Sequence, residues 1–299
     1  MSQAYIGTSG WSYPNGPGKW SGVFYPKNVT GNQQLIYYAE RFNAVEVNVT
    51  FYRFIPPNFT QKWISKTPDR FQFAFKLNKA FTHPGKLDKK DEKAGKQEVR
   101  ATIDAMSPAK KAGKLGPLLI QFPASFHATE KNVEHLQTVL GFFPDIRKAI
   151  ELRNNSWNTI AKDLTKMIKD TNTTLAQIDE PTFSNSIKPF EINSDFAYHR
   201  LHGRNAKDWW NPKSPGDRYN YLYSEKELKP IVKNILEHRK KGKDVYLFAN
   251  NHFGGKAVAN SIQLQRLLGQ PSQASFNLEF SKAFSGLKIK TEQEQKRLL

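Results

Sequence analysis

No cysteine occurs anywhere in the chain. Disulfides, thiolate metal sites and a cysteine nucleophile are excluded together, and any metal would need His, Asp or Glu as ligands. No run of about 18 apolar residues is present, so the usual membrane-spanning helix is excluded as well. The opening MSQAYIGTSG lacks a basic and then apolar leader. These absences make a soluble, cytoplasmic protein without a membrane partner the expectation. Acidic residues are scarce beside basic ones, 27 against 45, and the formal charge is +18. Such an excess favours anionic partners, either a small anionic substrate or nucleic acid. Lysine-rich stretches such as KLDKKDEKAGK (86–96) and EHRKKGK (237–243) equally suit a solvated surface, so charge alone names no partner.

What is present argues for one large α/β domain. The 299 residues are 38% hydrophobic and 13% aromatic, enough for a sizeable core. Eight β-like runs recur: AYIGTSGW (4–11), AVEVNVTFY (44–52), FQFAFKLNK (71–79), LGPLLIQFP (115–123), KAIELRN (148–154), TTLAQIDE (173–180), FAYHRLHGR (196–204) and DVYLFANN (244–251). Segments with apolar residues three or four apart separate most of them, and the proline-bearing PTFSNSIKPFEIN after the sixth is the exception. Ser224 with Glu227 forms a capping box, Thr129 suits an N-cap, and Gly242 and Gly269 suit helix ends. Alternation repeated to eight strands predicts a single (β/α)8 TIM-type barrel over 1–269, with an open doubly wound sheet as the alternative. Residues 270–299 are expected to form a packed C-terminal extension or a partly mobile tail.

In such a barrel one parity of each strand faces the helices and the other faces the axis. Val45, Val47 and Val49 then lie under helices, and Glu46, Asn48 and Thr50 point inward. By the same rule Lys76, Gln121, Glu151, Arg153, Gln177, Asp179, Arg200, His202, Arg204 and Asn250 or Asn251 gather near the C-terminal strand ends, where this fold places its active sites. A purely structural network is the competing explanation. It would bury seven charges, and buried ion pairs often fail to offset the several kcal/mol lost in desolvating each ion. Glu46 should therefore be buried within reach of Lys76 or an arginine.

Gly203-Arg204 after the seventh strand and Gly254-Gly255-Lys256 after the eighth occupy the usual phosphate-binding place of this barrel. The long loops 10–26 and 205–224 are rich in Trp and Tyr, and Trp209, Trp210, Tyr219 and Tyr221 could stack on a sugar or base.

GTSGWSY with WSGVFYP, VEVNVTFYR, FAFKLNKAFTH, LIQFP, ELRNNSW, YHRLHGR, YNYLY and VYLFANNH together resemble the family called domain of unknown function 72, or YecE-like, from about residue 5 to about 268. The resemblance implies a TIM-type barrel and no particular reaction. It also implies importance for Glu46, Asn48, Thr50, Tyr52, Arg53, Lys76, His83, Gln121, Glu151, Arg153, His202, Arg204, Tyr219, Tyr221, Asn250 and Asn251. Asn154 departs from it, because His is usual there.

Two functions follow. The first is an enzyme acting on an anionic, phosphorylated sugar- or nucleotide-like substrate. Glu46 or Glu151 is general base, His202 or Asp179 general acid, and Lys76, Arg153 and Arg204 hold developing negative charge. The second is a nucleic-acid-binding protein or phosphodiesterase that uses its basic surface and aromatic loops. No cofactor is expected. A divalent metal is disfavoured by the crowding of cations and by the absence of HxH or HExxH spacing.

Overall fold

A computed structural model describes residues 2–83, 92–287, 289 and 291. Residues 86–91 of the lysine-rich stretch and the chain end 292–299 lie outside the described residues. The strands are β1 (Ala4–Thr8), β2 (Ala44–Val47), β3 (Gln72–Lys76), β4 (Leu115–Gln121), β5 (Lys148–Glu151), β6 (Thr173–Leu175), β7 (Gln177–Asp179), β8 (Phe196–Leu201) and β9 (Asp244–Ala249). They form two parallel sheets, one ordered β1-β9-β8-β7 and the other β2-β3-β4-β5-β6. The ladders thus draw an α/β fold of four and five strands rather than one continuous ring of eight.

Alternation along the strands explains how the sheets are buried. Val45, Val47, Phe73, Phe75, Leu118, Ile120 and Ile150 belong to the large core shared with the helices. The opposite parity makes a second core common to both sheets, with Ala44, Ala74, Leu119 and Ala149 from one and Phe196, Tyr198, Tyr246 and Phe248 from the other. Ala44 and Val45 of β2 and Leu118 and Leu119 of β4 are apolar on both faces, as parallel sheets covered on both sides require.

Two strand expectations need correction. The sixth run is two strands: β6 pairs with β5, and β7 pairs with β8. Ala176 separates them, and its N–H donates to the Ile150 carbonyl at 2.8 Å. The second run stops at Val47, and Val49–Tyr52 is a helical turn. The Thr50 hydroxyl explains this, lying 2.9 Å from the Val47 carbonyl and 2.7 Å from the Lys76 carbonyl. A local side-chain bond of this kind competes with ladder formation. Period-two patterning beyond Val47 therefore did not report strand.

The seam between the sheets is tight at β1. A Cβ on Gly7 would sit 1.9 Å from the Ala44 carbonyl oxygen, so only glycine allows this approach. Just beyond it, Ser9 bridges Glu46 in parallel, and the Gly10 N–H donates to the Glu46 carbonyl at 2.8 Å.

Helix starts follow their chemistry. The side chain of Thr129 accepts from the Asn132 N–H, and Ser224 with Glu227 completes a capping box on helix Glu225–Lys240. Residues 181–193 carry no helix. The chain after 270 packs on the first loop: the Asn277 amide donates to the Val23 carbonyl at 3.0 Å, and Phe280 meets Phe24 at 5.8 Å. Among the described residues no helix is long and apolar enough to cross a membrane.

Candidate active site

Arg200 on β8 is the centre of the polar layer at the C-terminal strand ends, and it is 1% exposed. Its Nε and Nη2 donate to the two oxygens of Glu46 at 2.9 and 2.7 Å. Nη1 donates to Glu151 at 2.5 Å and to Gln121 at 3.1 Å. Tyr198, one inward position earlier, donates to Glu46 at 2.8 Å. Glu46 and Glu151 are both fully buried, so a planar fork bonded to two carboxylates is held away from water. The forecast for Glu46 holds, with Arg200 as the partner.

Arg153, just past β5, adds a second cation. Its Nε donates to Glu151 at 2.8 Å, and Nη1 lies 3.7 Å from Glu180. Burial alone would raise the Glu151 carboxyl, but Arg200, Arg153 and His202 outweigh it and hold the group well below the usual carboxylate range. His202 is fully buried, its Nε2 3.4 Å from Glu151 and 3.2 Å from Arg153, with the Asn250 amide 2.9 Å from Nδ1. Burial pushes its imidazole down to about 3 despite the pull of Glu151, so it is neutral near pH 7 and has no proton to give as an imidazolium.

Lys76 ends β3 and is 9% exposed. Its Nζ stands 4.0 Å over the Phe51 ring and has no hydrogen-bond acceptor or ion-pair partner among the described residues. Burial first and Arg200 second lower its ammonium to about 7, against the pull of Glu46 and Glu151.

A second cluster lies to one side. The guanidinium of Arg204 grips Asp179 at 2.8 and 2.6 Å and reaches Glu227 at 3.3 Å. Tyr223 donates to Asp179 at 2.7 Å, and Tyr221 donates to Glu227 at 2.5 Å. Asn251 belongs here, donating to the Tyr221 carbonyl and to Asn260, both at 2.8 Å. Asp179, Glu180 and Arg204 line a cleft of about 750 Å³, together with Asn155 and Phe183 among others. Trp210 is exposed beside Phe183 at 5.4 Å, whereas Trp209 is core.

Other expected residues are placed elsewhere. Tyr52 is 68% exposed, Arg53 is exposed as well, and His83 meets Phe51 at 5.6 Å. Asn48 N-caps the turn instead of extending the strand, and its buried Oδ1 has no hydrogen-bond partner among the described residues. Tyr219 packs on His252 at 5.0 Å and lies 6.4 Å from His202. The expected phosphate cradle is closed in this conformation, because its donors are already used. The Gly203 N–H donates to Tyr223 at 2.9 Å, Gly254 to the Gly18 carbonyl at 3.0 Å and Gly255 to the His252 carbonyl at 3.2 Å. The Lys256 ammonium is bonded to Asn220.

Sequence reasoning passed over Glu180 and Tyr198. Tyr198 shares the parity of Arg200 in FAYHRLHGR, a signal that was available. Glu180 lies two residues after Ile178, which registers with Arg200, so it has the inward parity that the sequence reading assigned instead to Gln177 and Asp179. Its carboxyl is raised by burial, which outweighs Arg153, and its Oε2 is buried without a hydrogen bond among the described residues. No trio of His, Asp or Glu arranged to hold a metal occurs among the described residues.

Comparison with known proteins supports the resemblance seen in the motifs. The family model described as "Protein of unknown function DUF72" matches residues 5–282, beyond the end near 268 suggested by the motifs. UPF0759 protein YunF of Bacillus subtilis (strain 168) is 29% identical over 277 residues, 88% of this chain and 94% of that one. A solved DUF72 family protein from Thermotoga maritima MSB8 superposes with a TM-score of 0.76 at 32% identity, covering 89% of this chain and 99% of that one. Another from Enterococcus faecalis V583 gives 0.76 at 26% identity, covering 89% and 96%. The chain belongs to the DUF72 family of proteins of unknown function.

Proposed function

We propose that this protein is an enzyme that moves protons on a small anionic substrate at the C-terminal mouth of a closed (β/α)8 barrel over residues 1–269, with 270–299 as an extension. Support for closure comes from the two seams: Ser9 bridges Glu46 between β1 and β2, and only Ala176 separates β6 from β7. Joined there, the strands run β2-β3-β4-β5-β6/β7-β8-β9 and back through β1.

The observation that carries the catalytic reading is the difference between spent and unspent charges. Glu46 and Glu151 are committed to Arg200, so they act as the frame and not as the general base. Lys76 and Glu180 are titratable mouth groups left incompletely paired among the described residues, and burial moves both toward neutral pH. In this reading Lys76 is the base and Glu180 the acid. Arg153, between them in strand order and 15% exposed, holds the substrate's negative charge. The cleft beside Glu180 gives the rest of the substrate room. No metal or cofactor is needed for these roles.

A thermal-shift screen of small phosphorylated and carboxylated compounds, run with and without divalent metals, tests this. At least one anion should raise Tm, and Lys76→Met and Glu180→Gln should each abolish that rise without lowering the unliganded Tm. If both variants respond to the anion as the parent does, the site lies elsewhere.

A further inference from the structure

The buried lysines of this fold are not equivalent. Lys114 donates to the Thr67 carbonyl at 2.8 Å and to the Ile64 carbonyl at 3.1 Å. Lys148 donates to the Phe143 and Ile146 carbonyls at 2.7 and 2.9 Å. Both ammonium groups are solvated by backbone oxygen, the ordinary solution for a buried cation. Lys76 has no such oxygen among the described residues. It has instead a phenyl face at 4.0 Å, and the two carboxylates it could have paired with are taken by Arg200.

We propose that Lys76 is a covalent nucleophile whose amine condenses with the aldehyde or ketone carbon of an anionic substrate to form an imine. The proposal rests on the mouth being the catalytic site and names the substrate class: a small carbonyl compound bearing a carboxylate or phosphate. A desolvated lysine lacking acceptors holds its proton weakly, which is what an amine nucleophile requires. In the step, the Nζ lone pair forms the N–C bond and the carbonyl π pair moves to oxygen. A proton passes from nitrogen to that oxygen to give the carbinolamine. The C–O bond then breaks, and the oxygen departs as water with the two amine hydrogens. Amine plus carbonyl becomes imine plus water, with no oxidant or reductant consumed. The Glu46 and Glu151 carboxylates favour the protonated imine that follows, while Arg200 and Arg153 oppose it.

Reductive trapping decides the matter. The full-length protein is incubated at pH 7.5 with glycolaldehyde or with pyruvate, each with sodium cyanoborohydride, and the modified lysine is mapped by peptide mass spectrometry. Lys76 should be modified at least tenfold faster than exposed lysines such as Lys226 and Lys162, and the fast phase should vanish in Lys76→Met. Labelling of Lys76 no faster than of those surface lysines overturns the imine. If Lys76→Met still abolishes the anion-induced Tm rise, the amine acts only as a proton carrier and the site stands. If Lys76 traps rapidly while the anion response ignores Lys76 and Glu180, the proton-transfer reading fails and the nucleophile survives.

Discussion

Two arginines four residues apart meet acids in nearly the same geometry and have opposite surroundings. Arg200 bonds Glu46 through two nitrogens with its side chain 1% exposed, and Arg204 bonds Asp179 through two nitrogens with its side chain 39% exposed. The first pair has given up water entirely, so its partners depend on each other. The second remains in contact with solvent, which screens the attraction and can replace either partner. Distance alone would rank them equal, and burial separates them.

The largest expected effect comes from breaking the buried hub. Arg200→Leu leaves the buried Glu46 with Tyr198 alone and the buried Glu151 with Arg153 as its one cation among the described residues, and should cost about 3–5 kcal/mol or prevent folding at 37 °C. Urea unfolding that shows less than about 1 kcal/mol of loss would mean the hub is not holding the layer together.

Acid should reach the same layer next. Glu151 titrates below its unfolded value in the fold, so its contribution is present above the unfolded carboxylate pKa and is lost as pH falls through the folded one. His202 is held down to about 3 by burial, with Glu151, Arg153 and Arg200 facing it, so the unfolded chain takes up its proton first between about 6.5 and 3. Both signs predict falling stability from about pH 6 downward. The urea midpoint measured at pH 7, 6, 5 and 4 should decline less steeply in a His202→Gln protein than in the parent, and parallel declines would remove His202 from the account.

Lys76 provides a test of the opposite sign. Its folded value of about 7 lies below the ordinary 10.5, so the fold is penalised below pH 7 and the penalty fades as pH approaches 10. The groups facing it are Arg200, Arg153, Glu46 and Glu151. Lys76→Met should be more stable than the parent at pH 6, and the gap should shrink toward pH 10 at up to roughly 1.4 kcal/mol per unit. A gap independent of pH would show that packing, not charge, sets it.

The smallest effect belongs to the exposed pair. Arg204→Ala should cost about 1 kcal/mol or less and should become neutral in high salt. A loss matching that of Arg200→Leu would erase the contrast between the two arginines.

Much of this arrangement was legible in residue order. The alternation in AVEV, QFAFK and KAIE separated helix-facing residues from polar ones, because a pleated strand turns successive side chains to opposite faces. With LLIQ and YHRLH, this alternation assigns Glu46, Lys76, Gln121, Glu151, Arg200 and His202 to one layer. The same rule misread Asn48 to Tyr52, where the Thr50 hydroxyl turns the chain out of the sheet. It also missed Glu180, because the sixth run was read with Gln177 and Asp179 inward, whereas Ala176 and Ile178 hold that parity and Glu180 continues it. The glycines and Lys256 after β8 matched a phosphate loop by composition, yet their donors satisfy carbonyls and Asn220 brought near by other segments.

The sequence by itself determined the α/β class, the family and the identity of the polar layer, because those depend on periodicity and on motifs a few residues long. Only the tertiary structure decided who pairs with whom. Glu46 and Arg200 are 154 positions apart, and Glu151 and Arg200 are 49 apart. Whether a carboxylate is a free base or a spent counter-ion depends on which cation reaches it first in a space without water. That competition left Lys76 with a phenyl ring in place of an acid, and no local pattern records it.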